Sequence, residues 1–395
     1  MQQQPGFRSQ PVTLFRPFAL EELPQTYTWF EEMRTHHPVF YDEGTHLWHV
    51  FRYEDVLAVL TDYTRFSSQA YELSGNFFKD TLLAKDPPDH RKLRNLVNQA
   101  FTPRAVARLT DRITRIVQEL LDQVRPQGKM DIVSDMAFPL PAKVIAELLG
   151  VPGEDWDIFQ RWARADSSDP ALARQAAGRP MWEEMFDYFS ALLEERRRSP
   201  REDLISALSV AEVDGERLSQ SELVSFCRLL LAAGQETTKN LIANAVVCFT
   251  DYPDRMERLI REPALMPAAI EEVLRYLPPV WFLFRQTRMD VELAGQHIPA
   301  NQMVLSWLAS ANRDPARFPD PDHFDIEREP NRHLAFGYGI HFCVGAPLAR
   351  LEARIALPMM LEQLKDLKRV EDVPIMVRMG IVLVIRSLPV TFQPQ

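Results

Sequence analysis

The chain of 395 residues is 46% hydrophobic and 25% charged, the ordinary balance of a globular protein with apolar material for a large core. A formal charge of −10 and a pI near 5.5 argue against nucleic acid and anionic membrane surfaces as main partners, so any basic site must be local. Three widely spaced cysteines, Cys227, Cys248 and Cys343, exclude a disulfide framework and a cysteine-based zinc centre, and they suit a reducing cytoplasm.

The first twenty residues hold no apolar signal-peptide core, and no run approaches the roughly 18 uncharged apolar residues of a membrane helix, so a cytoplasmic protein is expected. A β-prone piece at 47–52 comes next. From Lys85 to Arg112 seven basic side chains (Lys85, Arg91, Lys92, Arg94, Arg104, Arg108, Arg112) stand against three acidic ones (Asp86, Asp89, Asp111). Apolar spacing of three and four predicts helices near 105–124, 181–198, 219–249 and 255–276. The third opens on Ser219-x-x-Glu222, a capping-box pattern. About thirty helical residues span roughly 45 Å, enough to cross a domain, so this helix is expected at the centre. Further β-prone pieces lie at 291–293, 302–307 and 381–385, so a small sheet must draw on both ends of the chain. Between 310 and 335 Pro, Asp and Arg without periodicity predict an irregular but ordered meander. The expected fold is mainly α with a minor β region. It forms one domain over 1–395, with a β-rich edge at about 40–65, 288–308 and 376–393 and helical bulk at about 86–280 and 346–365.

Four constellations carry chemistry. Of 14 glycines, Gly337, Gly339 and Gly345 fall within nine positions around Cys343, where they let the backbone bend tightly and approach a flat ligand. Pro347 then begins a helix, whose N-terminus stabilises Cys343 as thiolate, the form that binds iron. In the central helix the segment from Ala233 to Thr238, Ala-Gly-Gln-Glu-Thr-Thr, breaks an apolar face with a glycine that costs about 1 kcal/mol against alanine. Glu272 and Arg275, three apart, are in ion-pair range on one helical face, and His90 and Arg94 lie one turn apart on another.

The segment Phe336-Gly337-Tyr338-Gly339-Ile340-His341-Phe342-Cys343-Val344-Gly345 resembles the cytochrome P-450 signature Phe-Gly-x-Gly-x-His-x-Cys-x-Gly at all six fixed positions. The resemblance implies haem b, a haem-thiolate monooxygenase and Cys343 as axial iron ligand. It implies that His90, Arg94, Arg285 and His341 meet the haem propionates, and that Glu272, Arg275 and Arg328 lock the core behind the haem. Thr237 is then expected to hydrogen-bond dioxygen, with Glu236 relaying protons, where the central helix opens at Gly234. Val280, Trp281, Phe282 and Leu283 would overhang the haem and form an apolar substrate cavity with Ala233, Phe77 or Phe78, Ile381 and Val382.

The substrate implied is an apolar small molecule oxidised with O2. No dinucleotide fingerprint or iron–sulfur cysteine cluster is present, so electrons are expected from a separate ferredoxin or flavodoxin with its reductase. That donor is expected on the basic stretch together with Arg350 and Arg354, including Lys92 and Arg350. Two rival readings share these motifs: a peroxide-driven haem enzyme and a non-enzymatic haem or gas-binding protein.

Overall fold

The structure is a computed structural model that describes residues 17–74, 80–166, 181–213, 215–371 and 373–394. Its axis is the helix Gln220–Asp251, 32 residues long. Ser219 caps it: the Ser219 Oγ accepts from Glu222 N–H at 3.2 Å, and Glu222 accepts from Ser219 N–H at 2.7 Å. From Leu223 to Phe249 it is buried on nearly every side, the setting that an all-round apolar helix needs. Helices Pro139–Leu149, Met181–Arg198, Met266–Tyr276 and Ala346–Gln363 pack against it.

Two of the expected long helices are each two. Residues 105–124 divide into Pro103–Ala107 and Thr110–Val124, joined by a turn in which Leu109 N–H donates to Val106 O at 3.0 Å. Residues 255–276 divide into Pro253–Arg261 and Met266–Tyr276 around a short turn that Pro263 opens. Proline lacks the N–H that would continue the first helix. Periodicity runs through both breaks because the paired helices share one apolar side.

The main sheet has five strands in the order Val39–Asp42, Leu47–Val50, Met303–Trp307, Phe282–Thr287, Phe66–Ser67. It does unite both halves of the chain: Val304 pairs with Trp48 in the one parallel ladder of this sheet. Smaller sheets join Pro17–Ala19 to Met376–Met379 and Leu383–Ile385, and Lys129–Asp131 to Pro389–Thr391. The meander carries no strand from 312 to 345, yet it is pinned. Arg275, fully buried, binds both oxygens of Glu272 at 2.7 and 2.8 Å and donates to the carbonyls of Asn312, Pro321 and His323. Arg328 reaches the same carboxylate at 3.2 Å. Among the described residues no helix is long and apolar enough to cross a membrane.

Candidate active site

Cys343 sits where the meander meets the helix Ala346–Gln363. Its N–H donates to Phe336 O at 2.9 Å and closes the loop. Gly337 and Gly339 adopt φ of +69° and +70°, which side-chain-bearing residues rarely tolerate, and a Cβ on Gly339 would stand 3.1 Å from Leu60 O. The loop is thereby seated on the helix Tyr53–Thr61. Burial pushes the Cys343 thiol up. The N–H groups of Gly345 and Ala346, with the charges of Arg94 and Arg350, act against that by favouring thiolate.

The thiol lines a cavity of about 260 Å3 whose wall includes Ala233, Gly234, Thr237 and Thr238 of the central helix. The helix stays continuous there, contrary to the expectation that it opens at Gly234. A Cβ on Gly234 would come 2.9 Å from Ile145 Cδ1, so this glycine also serves the close approach of the helix Pro139–Leu149. The Thr237 hydroxyl donates to Ala233 O at 2.6 Å. Glu236 lies on the flank rather than among the lining residues. Its Oε1 accepts from Lys239 Nζ at 2.7 Å and from Asn240 Nδ2 at 3.1 Å, two partners that the motif alone did not bring forward.

Four basic side chains converge on the same cavity: His90, Arg94, Arg285 and His341. The two imidazoles lie 4.2 Å apart between centroids, and each has a buried Nε2 with no partner. Burial, then the nearby guanidinium of Arg94, draws His90 down to about 4. Burial, then Arg285, His90 and Arg94, draws His341 down to about 2. Arg94 donates to Phe342 O at 2.8 Å, and Arg285, 3% exposed, to Phe284 O at 2.7 Å. Tyr71, which sequence reasoning missed, lies against Arg285. So many donors around one cavity call for an anion with several acceptor oxygens, which the two propionates of a haem provide. The residues present therefore fit the group.

The rest of the lining is apolar, including Leu82, Phe101, Phe226, Leu230, Val280 and Leu283, apart from the buried carboxyl of Glu352, which burial pushes well up. Trp281 and Phe282 correct the expectation. Trp281, fully buried, packs against Tyr27 and Phe30 at 5.6 and 5.9 Å, and Phe282 packs against Trp307 at 5.0 Å. Both join the aromatic core and neither lines the cavity. Ile381 and Val382 brace that wall from behind: Trp281 N–H donates to Ile381 O at 2.8 Å, and Val280 bridges to Val382. Phe77 and Phe78 fall outside the described residues.

The basic stretch is partly neutralised by acids outside it. Lys92 pairs with Glu216 at 2.7 Å, Arg112 with Glu147 at 2.9 Å and Lys85 with Asp80 at 3.4 Å. Arg350 holds Glu271 through two bonds of 2.7 Å. Burial works to raise Glu271, but its bonds to Arg350 and His333 prevail and draw it down to about 2. Among the described residues Arg91, Arg104, Arg108 and Arg354 are exposed and form no ion pair.

The chain matches the family model described as "Cytochrome P450" over residues 11–149 and 173–392. It is 40% identical over 371 residues to the cyclomarin C epoxidase CymV of Salinispora arenicola, covering 91% of this chain and 93% of that protein. The solved structure of cytochrome P450 CYP109Q5 from Chondromyces apiculatus is 43% identical and superposes with a TM-score of 0.89, covering 95% of this chain and 97% of that one. CYP109E1 from Bacillus megaterium in complex with corticosterone is 40% identical, with a TM-score of 0.87 and coverage of 93% and 98%.

Proposed function

The chain belongs to the cytochrome P450 family as a haem-thiolate monooxygenase whose cofactor is haem b, and from that premise we propose how its own residues hold the cofactor, choose the substrate and deliver protons. Bound haem supplies the iron centre at which one oxygen atom enters the substrate and the other leaves as water, RH + O2 + 2 e− + 2 H+ → ROH + H2O. Cys343 would hold the haem iron through its sulfur, and the N–H groups of Gly345 and Ala346 favour the thiolate against the burial that opposes it. Arg285, Arg94, His90 and His341 hold the propionates. Thr237 offers a hydroxyl to the cavity once it leaves Ala233 O, and Glu236 feeds it protons from the flank.

The substrate is an uncharged apolar molecule. Thr237 and Thr238 are the polar groups that the central helix contributes to a lining of Leu, Phe and Val. The relative bound to corticosterone makes neutral polycyclic molecules the first class to test. Electrons come in the cytoplasm from a separate acidic ferredoxin or flavodoxin, which meets the exposed Arg91, Arg104, Arg108 and Arg354.

The observation that carries this reading is one apolar cavity lined by a thiol, a helix hydroxyl and four basic side chains. The test is the ferrous–CO spectrum together with turnover under O2 and reductant or under peroxide alone. The thiolate-type red-shifted Soret band should appear in the wild type and vanish in Cys343→His, and product should require O2 and electrons. A band that survives the substitution overturns the ligand. Turnover on peroxide alone supports a peroxide-driven enzyme instead.

A further inference from the structure

Two buried glutamates of this chain are held in contrasting ways. Glu272 has both oxygens met: Oε1 accepts from Arg275, Arg328 and Asp325 N–H, and Oε2 from Arg275 and Asn331. Glu236 is held by one oxygen. Its Oε1 takes both Lys239 Nζ at 2.7 Å and Asn240 Nδ2 at 3.1 Å, while Oε2 is buried with no partner. Among the described residues no other group bonds to this carboxylate, and Glu236 is the only partner of the Lys239 ammonium.

Lys239 is itself out of place by ordinary rules. Lysine is almost never buried unless paired, and this one is 4% exposed in the middle of the central helix. Replacing a buried ion pair with apolar residues is often neutral or stabilising, so stability alone does not account for it. The two anchors also differ in kind. Asn240 is fixed, since its Oδ1 accepts from Ile385 N–H at 3.3 Å and its Nδ2 also reaches Glu236 O at 2.8 Å. Lys239 is a long flexible stem that ends on one carboxylate oxygen. Glu272 is clamped through both oxygens; Glu236 is tethered through one, and its other oxygen is buried without a partner.

We infer that Lys239 is a positioning residue for proton delivery, parking the Glu236 side chain on the flank of the central helix beside Thr237 until their contact opens. The inference rests on the reading of Glu236 and Thr237 as the proton path. The Lys239 contact must break before the carboxyl can swing toward the cavity. Lys239 thus acts through Glu236 and touches neither substrate nor cofactor.

The test compares haem-loaded wild type, Lys239→Met, Lys239→Arg, Glu236→Gln and the double variant Lys239→Met/Glu236→Gln, with a spin-shifting steroid as substrate and a surrogate ferredoxin and reductase as donor. Lys239→Met should lower product per NAD(P)H by about threefold or more without changing the substrate's spin-shift affinity, and Lys239→Arg should restore it within about twofold. In the Glu236→Gln background the same change should have no further effect, because coupled residues are not additive. A readout without turnover is the infrared band of protonated carboxyl groups at neutral pH. Lys239→Met should add intensity that the double variant lacks. Undiminished coupling in Lys239→Met, a further loss in the Glu236→Gln background, or no added carboxyl band would each overturn the inference. Should the methionine variant not fold, Lys239→Gln serves in its place. The infrared arm decides on Lys239 even if turnover shows the monooxygenase reading to be wrong.

Discussion

The imidazoles of His90 and His341 lie 4.2 Å apart between centroids, and each buries an Nε2 that meets no protein partner. They come from a helix near residue 90 and from the cysteine loop, so the cavity draws its donors from segments some 250 residues apart in the chain. A buried donor without a partner costs about 1–3 kcal/mol, and a bound propionate removes that cost. Arg285, 3% exposed, is the more deeply enclosed of the two guanidiniums, since Arg94 is only partly buried. Arg285→Ala should accelerate haem loss by roughly tenfold or more, the equivalent of one charge-assisted bond. Haem transfer to an excess of apomyoglobin measures it. Retention equal to wild type would take Arg285 out of the cradle.

Thr237 now donates to Ala233 O at 2.6 Å, the habit of a hydroxyl inside a helix. Thr237→Ala should therefore fold normally and bind substrate normally. It should divert reducing equivalents to peroxide, with product per NAD(P)H down by roughly fivefold. Thr237→Ser should recover most of the coupling. Parallel assays of NAD(P)H, peroxide and product give the answer, and a coupling ratio unchanged in the alanine variant speaks against a role for the hydroxyl.

Trp281 and Leu283 are two residues apart, yet they should respond in opposite ways. Trp281 fills the aromatic core between Tyr27 and Phe30, so Trp281→Ala should cost about 3–5 kcal/mol and leave ligand-size preference alone. Leu283 lines the cavity, so Leu283→Ala should admit larger ligands at a smaller cost in stability. Urea denaturation and spin-shift titration over ligands of graded size separate the two. Larger ligands accepted by Trp281→Ala would return the indole to the cavity wall.

His49 gives the fold a pH dependence. It packs against Phe51 and Trp307, with ring centroids 6.1 and 6.0 Å away, accepts from Trp307 Nε1 at 3.0 Å, and burial draws it down to about 4 from an ordinary 6.5. The unfolded chain therefore takes up this proton first. The neutral imidazole's contribution is fully present above about pH 6.5 and is lost as the pH falls toward 4, up to about 3 kcal/mol in all. His49→Gln retains an acceptor and does not titrate. Its stability should fall less than that of wild type between pH 6.5 and 4.5 in urea titrations, and equal slopes would clear His49 of the effect.

The cysteine loop and the capped central helix were legible because each is local: six fixed positions in ten residues, and a serine with a glutamate three places on. What escaped was non-local or directional. The spacing of Glu236 and Lys239 stands in the sequence, but the burial that makes their pair matter comes from elements packed around the helix. Trp281 and Leu283 look alike as apolar neighbours. Tyr27 and Phe30, some 250 positions away, pack against the indole. No glycine or proline marks the break between Ala107 and Thr110. Charge counting over 85–112 missed Glu147 and Glu216, which the fold brings to Arg112 and Lys92.

Those ion pairs change which residues should receive an electron donor. Lys92 and Arg350 were expected to take part, but both are engaged, with Glu216 and Glu271. Reversing Arg350 would set two carboxylates against each other behind the cysteine loop, so any lost activity would not report on docking. Arg108 and Arg354 are exposed and have no ion pair among the described residues. Arg354 lies on the helix Ala346–Gln363, which packs against both Pro103–Ala107 and Thr110–Val124, the helices on either side of Arg108. Arg108→Glu/Arg354→Glu should slow first-electron transfer from an acidic ferredoxin by roughly tenfold at low salt. The difference should shrink toward nothing near 1 M salt, where the Debye length falls to about 3 Å from about 10 Å at 0.1 M. Stopped-flow reduction under CO, across ionic strengths, reads the rate directly. A double reversal that leaves both the rate and its salt slope as in wild type would put the donor on another face.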